Sequence, residues 1–225
     1  MGKKRKLEHF EENKTFSNFF QPSYPELVAG FHLKGCWNQK FFNNTNPLVL
    51  ELGCGKGEYT VNLAKRYPDK NFIGIDIKGA RMWKGASISN NENIKNTAFV
   101  RTSIELLEFI FAVGEVNEIW VTFPDPQPNK PKVKKRLTSP QFLERYRKIL
   151  APGAKINLKT DNTMLFEYTL EVITGGNHEL LYHTFDLYHS GLDNEITQIQ
   201  TFYEKMFLKE SIPIKYLCFK PNYTN

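Results

Sequence analysis

With 225 residues, 40% apolar and 14% aromatic, the chain is long enough for an α/β domain with a sizeable core. No run of about 18 apolar residues occurs, which excludes a membrane-spanning helix, and the charged start lacks the apolar stretch of a secretory signal, so a cytoplasmic setting without a membrane partner is expected. Cys36, Cys54 and Cys218 are scattered without a C-x-x-C spacing and indicate neither disulfides nor zinc, while a net charge of +6 permits a polyanionic partner.

Residues 1–45 form an extension without clean periodicity. Phe10, Phe16, Phe19, Phe20, Phe31, Trp37, Phe41 and Phe42 are too many aromatics for a free tail. The first ~10 residues, with the basic cluster Lys3-Lys4-Arg5-Lys6, are expected to be mobile, and the rest to pack on a domain spanning 46–225. From Pro47 the pattern alternates. Strands are expected at 48–52, 71–75, 97–101, 117–122, 154–159, 180–188 and 214–219, and helices near 58–67, 79–90, 103–111, 139–150, 162–173 and 195–209. Ser139 and Pro140 start the helix at 139–150 and Pro152-Gly153 stops it. Such alternation predicts a seven-stranded, mainly parallel sheet with helices on both faces.

The first strand, Val49-Leu50-Glu51-Leu52, runs into Gly53-Cys54-Gly55-Lys56-Gly57 and then a helix. Glycines let a backbone approach a ligand, and a helix start offers unpaired N–H groups. Glu58 stands where a dinucleotide fingerprint needs its third glycine, and no P-loop pattern is present. Glu51 would sit badly beside a pyrophosphate and suits a cationic ligand instead. The pattern E-x-G-x-G-x-G resembles motif I of the S-adenosylmethionine-dependent methyltransferases, whose cofactor carries an ammonium and a sulfonium. The second strand ends at Asp76, 23 positions after Gly53, where an acid can accept hydrogen bonds from ribose hydroxyls. Lys78 follows on the same loop, near the expected adenosine. The third strand ends at Thr102-Ser103, either of which can lie against the adenine or cap the next helix. The fourth strand enters Phe123-Pro124-Asp125-Pro126-Gln127-Pro128, whose alternating prolines stiffen the loop that carries Asp125. The first and fourth strands flank the switch point where open parallel sheets bind ligands.

Further motifs follow in order: Lys134-Lys135-Arg136-Leu137-Thr138, Lys159-Thr160-Asp161-Asn162 and Thr201-Phe202-Tyr203-Glu204. Together with the glycine turn, Gly74-Ile75-Asp76 and Phe123-Pro124-Asp125-Pro126, they resemble the bacterial tRNA (guanine-N7-)-methyltransferase family over roughly residues 47–219. The resemblance implies a Rossmann-like class I methyltransferase fold. It also implies transfer of a methyl group from S-adenosylmethionine to guanine N7 in tRNA, at position 46 of the variable loop, with S-adenosylhomocysteine as product and no metal. Glu51, Gly53, Gly55, Asp76, Lys78, Thr102 or Ser103, and Asp125 would hold the cofactor, with Asp125 also catalytic. Asp161 and Thr201, Phe202, Tyr203 and Glu204 would contact the tRNA. The chain departs from the family at Gln127, where Trp is usual, and at Asn129, where a substrate lysine is usual and Lys130 stands next. Other readings of the same residues are another RNA methyltransferase and a non-catalytic RNA-binding subunit. Both a monomer and a homodimer are open.

The helix expected at 195–209 has an apolar face of Ile196, Ile199, Phe202, Tyr203, Met206 and Phe207, which assigns Phe202 to the core. Thr201 and Glu204, three apart on its flank, can point at the base together, and Glu204 can accept from guanine's edge donors. The basic residues of loop 129–138 suit phosphate contacts.

Overall fold

A computed structural model describes residues 3–223; the side chains of Lys3, Lys4 and Arg5, three of the four residues of the first basic cluster, lie outside the described residues. In chain order the elements are α1 (Lys3–Asn13), β1 (Phe19–Phe20), α2 (Tyr24–Gly30), a π turn (Asn38–Phe42), β2 (Leu48–Leu52), α3 (Glu58–Arg66), β3 (Asn71–Asp76), α4 (Gly79–Asn91), β4 (Thr97–Arg101), a 3-10 turn (Ile104–Leu106) and α5 (Leu107–Ile110). The second half adds β5 (Val116–Thr122), a 3-10 helix (Lys130–Lys135), α6 (Pro140–Arg147), β6 (Leu150–Thr160), α7 (Thr163–Gly175), β7 (Glu179–Thr184), α8 (Glu195–Gln198), α9 (Phe202–Lys209) and β8 (Lys215–Lys220).

The sheet order is β1-β4-β3-β2-β5-β6-β8-β7, with β8 antiparallel to both of its neighbours and the other pairings parallel. All seven expected strands are present as β2 to β8. The eighth is β1, two residues of the extension that pair with β4 through Phe19↔Phe99 and Phe20↔Val100. A two-residue strand has too little alternation to stand out in a sequence. Pro152 and Gly153 lie inside the irregular start of β6 rather than closing a helix, since α6 ends at Arg147.

β2 is buried on both faces, which explains its unbroken apolar character. Leu48, Leu50 and Leu52 join the cluster that holds Trp37, Ile119 and Phe142, whereas Val49 joins Tyr59, Trp120 and Tyr216 on the other side. The period of two therefore turns Glu51 toward the Val49 side, beneath α3. Gly57, at φ +69°, enters α3; a Cβ there would meet Phe99 at 2.5 Å and the Gly85 Cα of α4 at 3.3 Å. Glycine at 57 is what lets α3 and α4 pack this closely at the sheet edge.

The described part of the extension packs on this body. Trp37 is fully buried, donates from Nε1 to the Ile110 carbonyl at 3.2 Å and packs edge-on against Phe20 and Phe41. Residues 3–13 form α1, and His9 and Glu12 bring it onto α4: His9 stacks on Trp83 at 3.8 Å, and Trp83 donates to Glu12 at 2.6 Å. Trp83 and Glu12 are 71 positions apart, a contact that no local pattern announces.

Candidate active site

β2, β3 and β5 end at the same edge of the sheet, on either side of the place where strand order reverses. A cleft of about 470 Å³ opens there, bounded by Gly53–Lys56, Asp76–Lys78, Thr122–Asp125 and Thr201–Tyr203. Gly53 has φ +75°, and nothing lies within 4 Å of where its Cβ would be, so its backbone is open to an approaching group. Asp76 ties two walls together. One carboxylate oxygen accepts from the Gly55 N–H and the other from the Lys78 N–H, both at 2.9 Å.

Glu51 lies buried at the cleft floor. Its Oε2 accepts from the Thr60 N–H at 2.8 Å and from the Thr60 hydroxyl, and its Oε1 accepts from the Thr122 hydroxyl at 2.7 Å. Burial pushes its carboxyl up to about 7, against the opposing pull of these hydrogen bonds. A buried acid so poised gains from a cation placed over it.

The loop after β5 is braced at both ends. Phe123 and Gln127 hold left-handed backbones, φ +49° and +47°, which non-glycine residues adopt only under constraint. The constraint comes from alternating prolines and from Arg136, which is buried beneath the loop. Arg136 donates from Nε to the Pro126 carbonyl at 3.1 Å and from Nη2 to the Gln127 carbonyl at 3.3 Å, with its guanidinium 4.3 Å from the Tyr168 ring centre. Asp125 is thereby held exposed on the cleft wall, accepting from the Gln127 N–H at 3.0 Å.

Of the residues expected to form the site, the cleft gathers Glu51, Gly53, Gly55, Asp76, Lys78, Asp125, Thr201, Phe202 and Tyr203. Thr102 and Ser103 stand behind it. Thr102 is buried, its N–H donating to the Asp76 carbonyl at 3.1 Å, and Ser103 caps the 3-10 turn through the Glu105 N–H; Ile104 is the residue that reaches the cleft. Asn129 and Lys130 are exposed at the start of the basic 3-10 helix, and Lys135 at its end lines the cleft instead. Asp161 stands off the cleft, with its carbonyl accepting from the Lys215 ammonium at 2.9 Å and its carboxyl raised above the usual range by partial burial.

The single helix expected at 195–209 is two, α8 and α9, broken at Thr201. Thr201 caps α9 through the Glu204 N–H, and the Glu204 side chain returns to the Thr201 N–H, a capping box. The break turns Phe202 outward: 54% exposed, it belongs to the cleft wall and not to the core. Glu204 is fully buried instead. Glu58 Oε2 accepts from the Phe202 N–H at 2.9 Å, and the Lys56 ammonium lies 4.2 Å from the Phe202 ring centre. Lys56, Glu58, Tyr59, Arg81, Thr122 and Lys135 also line it; Lys56 and Lys135 fall within the motifs but are not among the expected site residues, and no motif marks Glu58, Tyr59, Arg81 or Thr122. Lys56 and Glu58 adjoin the glycine turn, and Thr122 ends a strand at the switch point; those positions were the available signal.

Strands β2 to β8 in the order β4-β3-β2-β5-β6-β8-β7, with β1 added at the edge, and a glycine turn and strand-end acids around one cleft, define the class I methyltransferase fold. Solved structures agree: the 16S rRNA methyltransferase KamB aligns with TM-score 0.63 at 15% identity over 82% of this chain and 92% of its own. A 16S rRNA (adenine(1408)-N(1))-methyltransferase from Catenulisporales acidiphilia aligns with TM-score 0.58 at 15% identity over 83% and 93%. A family model described as "Putative methyltransferase" matches residues 45–217. Proteins named tRNA (guanine-N(7)-)-methyltransferase are 52% identical in Christiangramia forsetii, over 98% of this chain and 99% of the relative, and 49% identical in Bacteroides thetaiotaomicron, over 98% and 86%. The chain belongs to the tRNA (guanine-N(7)-)-methyltransferase family.

Proposed function

We infer that this chain transfers a methyl group from S-adenosylmethionine to N7 of a guanine in tRNA, position 46 of the variable loop being the family's site. The observation that carries the reading is one cleft faced by a glycine turn over a buried acid, by Asp76, by the braced Asp125 and by an exposed aromatic pair. The residues suit the cofactor. The cleft volume falls in the range of about 300–1,000 Å³ usual for small-molecule sites. Gly53 leaves its backbone approachable, Asp76 suits ribose hydroxyls, and Glu51 suits a cationic group above it.

When bound, S-adenosylmethionine supplies a methyl group on a positively charged sulfur. Guanine N7 offers a lone pair and holds no proton, so no side chain needs to act as a base. What the protein must do is position the reactants and favour positive charge as it develops on the purine. Asp125, anchored through the Gln127 N–H and stiff prolines, provides a fixed negative charge at the cleft wall. Phe202 and Tyr203 offer a surface on which a displaced base stacks. Lys135 and the exposed lysines of the 3-10 helix face phosphates, which contribute affinity rather than base choice. A-form RNA hides its base edges in a deep groove, so the target guanine is one that a loop exposes. No metal enters this proposal. Among the described residues no helix is long and apolar enough to cross a membrane, and a tRNA substrate suits work in the cytoplasm.

Incubation with methyl-labelled cofactor and unmodified tRNA, followed by strand cleavage at 7-methylguanine, tests the reading. Label confined to one variable-loop guanine is expected. Label on another base, or cofactor binding without transfer to tRNA, would overturn it.

A further inference from the structure

Behind the aromatic wall of the cleft lies a charged cluster that touches no solvent. Lys159, near the end of β6, and Glu204, in the first turn of α9, are both fully buried and form an ion pair at 2.7 Å. The Lys159 ammonium also donates to the carbonyls of Ile196 at 2.5 Å and Ile199 at 3.1 Å, at the end of α8. Glu204 accepts from the Tyr188 hydroxyl at 2.7 Å and from the Thr201 N–H at 3.3 Å. The three donors of the ammonium and both oxygens of the carboxylate are thus engaged. Glu204 does not line the cleft, whereas its neighbours Thr201, Phe202 and Tyr203 do.

Lys159 has a second connection. Its own carbonyl accepts from the Phe123 N–H at 2.8 Å, at the point where the Asp125 loop leaves the sheet. One residue therefore holds the loop through its backbone and the α8–α9 break through its side chain. Buried ion pairs are a poor source of stability, because desolvation offsets much of their attraction, and a pair retained in a core is better explained by the geometry it enforces.

We propose that Lys159 and Glu204 are positioning residues that set the distance between the Asp125 loop and the Thr201–Tyr203 wall, and that Glu204 acts through this wall and does not read the base. The proposal rests on the methyl-transfer reading for its activity readout. Its structural readout does not.

The test compares Glu204→Gln, Lys159→Met and the double variant in the full chain, with Tyr188→Phe as a milder probe. Each single change at the pair leaves one buried charge without its partner, and a loss of at least about tenfold in kcat/KM for tRNA is expected. The double variant buries no unpaired charge, and it should recover about tenfold over either single. A carboxylate that reads guanine would behave differently: Glu204→Gln and the double variant would be equally inactive while folded and still binding S-adenosylmethionine, and that result overturns the proposal. Should the charge variants fail to fold, Tyr188→Phe decides. Its hydroxyl touches Glu204 outside the cleft, so KM for tRNA should rise about threefold with cofactor affinity unchanged. An unchanged KM contradicts the proposal. Hydrogen exchange of the 196–206 backbone, expected to quicken in Tyr188→Phe, is read without any substrate. Unchanged exchange counts against the positioning role, whereas a native chain that never methylates tRNA counts against the methyl-transfer reading alone.

Discussion

The Arg136 guanidinium donates to the Pro126 carbonyl at 3.1 Å, one residue beyond Asp125, from a position buried under the loop. Its neighbours Lys134 and Lys135 are exposed, so one basic run performs two tasks. Arg136→Lys keeps the charge but loses the two-pronged hold on Pro126 and Gln127. We expect kcat to fall about tenfold or more, with the salt dependence of tRNA binding unchanged. Lys134→Ala with Lys135→Ala should do the reverse, reducing the slope of log affinity against log salt by about 0.7 to 0.9 for each phosphate no longer neutralised. Parallel steady-state kinetics and salt titrations check both.

Glu51 gives the protein a pH signature of defined sign. Its folded value of about 7 lies above the ordinary 4.5, so between these limits the folded chain keeps a proton that the unfolded chain has lost. Stability from this group is present below the ordinary value and is lost as pH rises through about 7, in total about 3 kcal/mol. Glu51→Gln should flatten that part of the curve of melting temperature against pH. Binding a cationic cofactor favours the ionised carboxyl, so calorimetry near pH 6 should show proton release on addition of S-adenosylmethionine, seen as a dependence of the heat on buffer ionisation enthalpy, and Glu51→Gln should abolish it.

Gly57→Ala tests the junction of turn and helices. At φ +69° a side chain costs about 1–2 kcal/mol, and its Cβ would meet the Phe99 ring at 2.5 Å. Because Phe99 is fully buried in a cluster with Phe19, Val61, Met82 and Ala86, the whole cost should exceed about 2 kcal/mol and weaken cofactor binding. Chemical denaturation and calorimetry measure the two effects.

The sheet was readable because its strands are short apolar runs separated by turn residues, and the site because strand-end acids follow a glycine turn. What escaped depended on choices that local sequence leaves open. In 195–209 the apolar spacing suits a continuous helix, yet Thr201-x-x-Glu204 is also a capping box, and the box prevails because Lys159 satisfies the carbonyls exposed by the break. Phe202 then faces the cleft and Glu204 the core, the reverse of what the continuous helix would give. Likewise nothing in Lys134-Lys135-Arg136 says which side chain is buried. That is decided by Tyr168 and the loop carbonyls, distant in sequence.

On the proposed mechanism Asp125 contributes a fixed charge and not a proton acceptor. The most direct measurement of this role is kcat for methyl transfer to tRNA by the native chain and by Asp125→Asn, from about pH 6 to pH 9. A loss of about 100-fold is expected in the variant, by a similar factor across the range. Near-native turnover by Asp125→Asn at every pH would contradict it.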